Sequence, residues 1–246
     1  MDTVFGRARL EPVHGPAFIV VGVFDGLHRG HAYLLDQLIR VAREHRARPT
    51  VITFDAHPDA ILTGHAPPLL MDPAERLDRL ESAGVEVVVV EHFDDELRRT
   101  PYDVFVSGIS SRCFLAGILM TPDAAFGHER AGTPASLRAL GAREGFEVVV
   151  VPPFALDDRE VRSSDIRAAI ATGRLDEAGR LLGRPYAVVG DADGDGRVSV
   201  PMPVALPPPG EYRIADRGPA TVTSSGTILV ASPPGRVRLE FADPTQ

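Results

Sequence analysis

Two histidines three residues apart, His28 and His31, stand in the segment G-V-F-D-G-L-H-R-G-H (22–31). An apolar run precedes it and a helix-like pattern follows. At that spacing both imidazoles lie on one side of the first helical turn. A helix start also offers unpaired N–H groups and the positive end of its dipole. Gly30 lets a ligand approach the backbone closely. Two ring donors and a backbone cradle suit a polyphosphate. An isolated pair of this kind would more often be two surface histidines; the strand–turn–helix context makes it a candidate site. Asp25 in the same loop has two open readings: it orients a nucleotide or a metal-bound water, or it closes the loop as an Asx-turn.

A second cluster, V-R-S-S-D-I-R (161–167), again precedes a helix. Ser163 and Ser164 at a helix N-terminus, with Arg167 one turn in, form a second anion site. Alone they would be read as an N-cap with a solvated arginine. At the ends of two strands of one sheet, the two clusters form a phosphate clamp in the crevice where open α/β sheets bind ligands. The chain contains no lysine and no asparagine, so the 26 residues that are Lys or Arg are all arginines. A Walker-type lysine and a Schiff base are thereby excluded.

The elements that must position these residues alternate over the first two thirds, as in an α/β domain with a mostly parallel sheet. A-F-I-V-V-G-V-F (17–24) is a buried strand; Leu34, Leu35, Leu38, Ile39 and Ala42 recur at helical spacing after it. Further strands are expected at 50–54, in V-E-V-V-V-V-E-H-F, in F-L-A-G-I-L-M and in F-E-V-V-V-V-P-P-F. Helices are expected near 73–83, at 102–110 and at 136–144. Another, with Ser163 or Ser164 as N-cap, runs through I-R-A-A-I-A to a stop at Gly173, and a short one spans 175–182. From Tyr186 onward short alternating stretches rich in Pro, Gly and Val predict a small all-β unit, marginal as an independent fold. D-A-D-G-D-G (191–196) opens like a calcium loop, but Met202 stands where the bidentate Glu should be, so an acidic hairpin is expected.

The 246 residues carry a formal charge of −8, which disfavours nucleic acid and anionic membranes as partners. The single cysteine, Cys113, excludes an intrachain disulfide and a Cys-rich zinc site. No signal peptide or membrane span is apparent, so a cytoplasmic protein is expected. The sequence leaves the oligomeric state open.

The ordered motifs G-x-F-D-G-x-H-x-G-H, T-F-D-A-H-P (53–58), F-G-H-E-R-A-G (126–132), R-S-S-D-I-R and G-R-P-Y (183–186) resemble the bacterial FAD synthetase family. The resemblance implies a Rossmann-like HxGH nucleotidyltransferase domain over 1–185. It also implies a small β domain over 186–246, the vestige of a riboflavin kinase-like barrel. The expected reaction moves the adenylyl group of ATP to FMN, with Mg²⁺, giving FAD and pyrophosphate. His28, His31 and Arg167 are the implied catalytic residues. Gly22, Phe24, Asp25, Gly26, Gly30, Ser163 and Ser164 are assigned to the nucleotide, and Phe54, His57, Asp123 and Phe126 to the flavin. No protein-held metal site is assigned.

Several positions depart from the family pattern. Asp165 replaces a threonine; Thr121, Ala124 and Ala125 stand where glycine, glutamate or an aromatic is usual. The C-terminal stretch G-R-V-S-V-P-M-P lacks the kinase Pro-Thr-Ala-Asn motif and is short for that barrel, so no riboflavin kinase activity is expected. Two alternatives follow: a nucleotidyltransferase with another phosphate-bearing acceptor, or a non-catalytic nucleotide- or flavin-binding regulator.

Overall fold

In the computed structural model, which describes residues 1–242, the chain divides into two compact units. The first comprises Met1–Phe24, His31–Pro67 and Leu77–Phe154. The second takes Asp25–Gly30, Pro68–Arg76 and the chain from Ala155 onward.

The first unit is built on β1 (Asp2–Phe5), β2 (Ala17–Val21), α1 (Arg29–Glu44, entering from the second unit), β3 (Arg48–Phe54) and α2 (Asp59–Leu62). There follow α3 (Pro73–Ser82, its residues to Arg76 belonging to the second unit), β4 (Val87–Glu91), α4 (Asp95–Arg99), α5 (Tyr102–Ser110), β5 (Leu115–Met120), α6 (Pro134–Glu144) and β6 (Glu147–Val150). The six strands pair in the order β1-β4-β3-β2-β5-β6, all parallel. Parallel sheets require both faces covered, and β3 and β4 are accordingly buried through almost their whole length. F-L-A-G-I-L-M settles as strand β5 between β2 and β6. The chain order reverses between β2 and β5, the switch point where such sheets leave a crevice at their carboxyl ends.

Two boundaries differ from expectation. Helix α6 begins at Pro134 because Thr133 and Ser136 form a reciprocal capping box, so Ser136 closes the cap instead of starting the helix. Strand β1 was not anticipated. Its four residues lie at a sheet edge with only Val4 turned inward, too short an alternation to announce a strand.

The second unit contains the β7–β8 hairpin (Ala155–Leu156, Arg159–Glu160), then α7 (Ser163–Ala171) and α8 (Leu175–Leu182). The remaining strands are β9 (Ala187–Ala192), β10 (Arg197–Ser199), β11 (Gly210–Ile214), β12 (Gly218–Val222), β13 (Ile228–Leu229) and β14 (Gly235–Glu240). They form an antiparallel sheet in the order β11-β12-β13-β10-β9-β14. A bridge from Ile214 to Phe241 joins the edge strand β11 to the chain leaving β14, so the sheet curls back on itself as a small barrel. Closure leaves fewer unpaired edge groups. The β9–β10 turn is the expected acidic hairpin: Asp193 accepts from the amides of Asp195 and Arg197. Among the described residues no helix is long and apolar enough to cross a membrane.

Candidate functional site

The chain leaves β2 through a short loop whose backbone is strained. Phe24 (φ 53°) and Leu27 (φ 38°) hold left-handed conformations that bulky residues disfavour, with Gly26 (φ 78°) between them. Such strain costs on the order of 1–3 kcal/mol per residue and persists only where surrounding contacts fix it. Within the second unit those contacts come from three distant places in the sequence.

The Asp25 carboxylate is 4% exposed and accepts the Leu70 amide at 2.9 and 3.1 Å. It also pairs with the Arg167 guanidinium at 2.6 Å. Arg167 Nε donates to the Pro68 carbonyl at 2.7 Å, and Ser163 Oγ donates to the Asp25 carbonyl at 3.3 Å. Arg184, following the left-handed Gly183 that ends α8, donates to the carbonyls of Gly26 (2.6 Å) and Leu27 (3.2 Å). The H-R-G-H and R-S-S-D-I-R loops are therefore brought together, and G-R-P-Y supplies a third anchor.

This arrangement revises one expectation. Ser163 is the first residue of α7 and not its N-cap; the cap is Arg162, without a side-chain cap bond, because the Ser163 hydroxyl is turned to the Asp25 carbonyl. Asp25 is held within the loop by partners distant in sequence. Its carboxylate is engaged by Leu70 and Arg167, which also suits it poorly to a metal. Among the described residues no group of three or more His, Cys, Asp or Glu could hold a metal ion. A Mg²⁺ held mainly by substrate phosphates and water would need no such group. Ser164 and Asp165 are exposed on the first turn of α7.

His28 is 5% exposed, and its pKa is lowered to about 4, first by burial and then by the nearby charges of Arg184 and Arg167. At neutral pH its imidazole is uncharged, a hydrogen-bonding group and not a cation. Gly30 packs against it: a Cβ there would meet His28 Cε1 and Nδ1 at 3.1 Å and the Val161 carbonyl at 3.3 Å. His31 follows in the first turn of α1, its ring 5.1 Å from that of Phe24.

The first unit contains a cavity of about 600 Å³ at the carboxyl ends of its strands, a size in the range of small-molecule sites. Val21, the last residue of β2, and Gly22 and Val23 after it contribute to its lining. Two aromatic pairs contribute walls: Phe54 with Phe93 (edge to face, 5.3 Å) and Phe105 with Phe126 (5.4 Å). His57 joins them; the Asp59 amide donates to its Nδ1 at 3.2 Å. Arg98, His128 and Arg130 add basic groups to the lining. Of the residues assigned to the flavin, Phe54, His57 and Phe126 line this cavity. Asp123 does not; it is exposed and accepts from the Thr121 hydroxyl at 2.9 Å. Gly22, assigned to the nucleotide, also lines this cavity, and Phe24 is buried.

Sequence reasoning missed Phe93, Phe105, Leu70 and Arg184. The first two sit at the end of a strand pattern and inside a helix pattern, where they read as core. Leu70 acts through its backbone amide, which carries no side-chain signal. Arg184 alone had a visible cue, directly after the helix-ending Gly183.

Residues 10–165 match the family model described as FAD synthetase. The chain is 34% identical over 192 residues to the bifunctional riboflavin kinase/FMN adenylyltransferase of Haemophilus influenzae, over 77% of this chain and 62% of that protein. The Pseudomonas fluorescens protein of the same description is 31% identical, over 77% of this chain and 61% of its own length. The chain thus spans less than two thirds of these relatives. A crystal structure described as a macrolide-efflux protein from Streptococcus pneumoniae superposes with a TM-score of 0.82. The match covers 99% of this chain and 90% of that one at 23% identity, a likeness of fold. With a family match across most of its first unit, and with that family's motifs meeting around one loop, the chain belongs to the FAD synthetase family.

Proposed function

We propose that the chain transfers the adenylyl group of ATP to FMN, giving FAD and pyrophosphate. The observation that carries this reading is the junction of the H-R-G-H loop with Ser163 and Arg167, a buried neutral imidazole at its centre. The aromatic cavity of the first unit suits the flat ring of a flavin substrate, and the activity named for the relatives agrees. We take 1–185 as the nucleotidyltransferase domain and 186–246 as a β domain without kinase activity.

In the reaction an FMN phosphate oxygen attacks the α-phosphorus of ATP, the bond to the β-phosphate oxygen breaks, and pyrophosphate leaves. No covalent enzyme intermediate is needed. Catalysis is then positioning plus stabilisation of charge on the transferring phosphoryl group. His28 and His31 supply ring donors. The first-turn amides of α1 and α7, with the hydroxyls of Ser163 and Ser164, receive phosphate oxygens. Arg167 contributes positive charge while it holds Asp25. Mg²⁺ is assigned to the triphosphate substrate.

Incubation with FMN, ATP and Mg²⁺, followed by chromatography and pyrophosphate detection, tests this. FAD with equimolar pyrophosphate is expected; ATP binding without FAD would overturn it. Pyrophosphate release only with another phosphate-bearing acceptor would favour the reading that Ala124 and Ala125 have changed the acceptor. Riboflavin with ATP should give no FMN.

A further inference from the structure

We propose that the C-terminal barrel positions the nucleotide loop by gripping the segment 68–72, which lies between barrel and loop within the second unit. One side of this strap faces the loop: the Leu70 amide reaches the Asp25 carboxylate, and the Pro68 carbonyl receives Arg167. A Cβ on Gly26 would come within 2.9 Å of Leu70 Cδ1, so loop and strap are also in close apolar contact. The other side is paired with the barrel. Leu69 bridges Val204 in parallel; its amide donates to the Pro203 carbonyl at 2.9 Å, and its carbonyl accepts the Ala205 amide at 2.8 Å.

The barrel's own side chains strengthen this grip. Tyr186, 1% exposed, donates its hydroxyl to the Ala205 carbonyl directly behind the bridge. Arg236 on β14 pairs with Asp72 at 2.5 Å, and Arg238 pairs with Glu75 at 3.2 Å. The other oxygen of Asp72 caps α3 through the Ala74 amide at 2.9 Å, so this carboxylate ties helix, strap and barrel at one point. A strained loop needs outside contacts to hold it, and here they form a continuous chain from β14 to Asp25. The barrel therefore acts without contributing a side chain to the reacting phosphates. Arg236, Arg238 and Tyr186 are positioning residues.

The proposal rests on the adenylyl-transfer reading only in naming ATP as the nucleotide. The test is the double variant Arg236→Gln/Arg238→Gln in the full chain, with Tyr186→Phe as a second probe. Hydrogen exchange of the 25–30 amides should quicken, and ATP affinity by calorimetry should weaken roughly three- to tenfold, as expected for loss of two partly exposed pairs. FMN affinity should stay unchanged. Arg236→Lys, which keeps the charge, should recover part of the loss. The control Thr221→Val removes a hydrogen bond between β11 and β12, not one between barrel and strap, and should behave as wild type. Wild-type exchange and ATP affinity in the double variant would overturn the proposal, as would equal losses in the control. Should wild-type protein make no FAD from FMN, the functional reading falls while the exchange experiment still decides this one.

Discussion

Arg167 holds the buried carboxylate of Asp25 at 2.6 Å across 142 residues of sequence. A side chain expected only to meet phosphate is thus also a structural brace for the loop that carries His28. Its Nε is committed to the Pro68 carbonyl as well, so the guanidinium plane is fixed before any ligand arrives. Such preorganisation lowers the ordering cost at the moment of reaction.

Asp25→Asn and Arg167→Gln should each destabilise the protein. Removing one partner leaves the other charge in a poorly solvated place, a loss of about 3 kcal/mol in comparable buried pairs. The double variant should lose clearly less than the sum, with a coupling of roughly 1–3 kcal/mol by urea unfolding. If Arg167→Gln alone leaves the unfolding midpoint untouched, the side chain serves phosphate only.

His28 gives the protein a pH dependence whose sign is fixed. Its folded pKa, about 4, lies below the ordinary imidazole value of 6.5. Between those values the unfolded chain binds the extra proton and the folded chain does not. The stability contribution is therefore whole above pH 6.5 and declines as pH falls toward 4, by about 3 kcal/mol at the limit. His28→Gln should flatten this part of the stability profile. Catalysis should show no His28 titration between pH 6 and 8, and His28→Ala should lower kcat far more than flavin affinity. A kinetic pKa near 6.5 that vanishes in the variant would refute a buried neutral ring.

The geometry of the candidate site was partly legible because many of its residues are close together in sequence. The H-R-G-H and R-S-S-D-I-R strings each hold their residues within one turn, and the strands behind them are apolar runs of ordinary length. The β character of the chain after Tyr186 was visible as short alternating stretches. What stayed hidden was non-local. The second unit takes in the loop 25–30 and the strap 68–72, segments that look like connections inside an α/β alternation. A backbone amide bonding a carboxylate 45 residues away leaves no periodic trace. Asp123 shows the converse: it stands three residues before Phe126, yet its carboxylate turns to Thr121 and leaves the cavity to Phe126.

The paired aromatics should determine flavin affinity. Phe126→Ala removes a wall packed on Phe105, and Phe54→Ala removes one packed on Phe93. Aromatic contacts of this kind are worth about 0.5–1.5 kcal/mol beyond their area, so each variant should weaken FMN binding about tenfold by fluorescence titration. ATP affinity should hold. Asp123→Ala should leave FMN binding near wild type; a loss matching Phe126→Ala would return Asp123 to the flavin site.

Gly30→Ala isolates the geometry of the imidazole from its chemistry. Position 30 is helical, so alanine is at ease with the backbone and favours the helix. The added methyl would nonetheless meet the His28 ring at 3.1 Å and the Val161 carbonyl at 3.3 Å, closer than ordinary contact. The carbonyl belongs to the backbone beside α7 and yields least, so the ring is displaced by a few tenths of an ångström. Hydrogen bonds to a transferring phosphoryl group are sensitive to such shifts, and kcat should fall on the order of tenfold. Stability and flavin affinity should remain close to wild type, because neither depends on where the ring points. Unchanged kcat in Gly30→Ala, in a protein of wild-type stability, would mean that His28 acts without a fixed position and that the close packing around it serves folding alone.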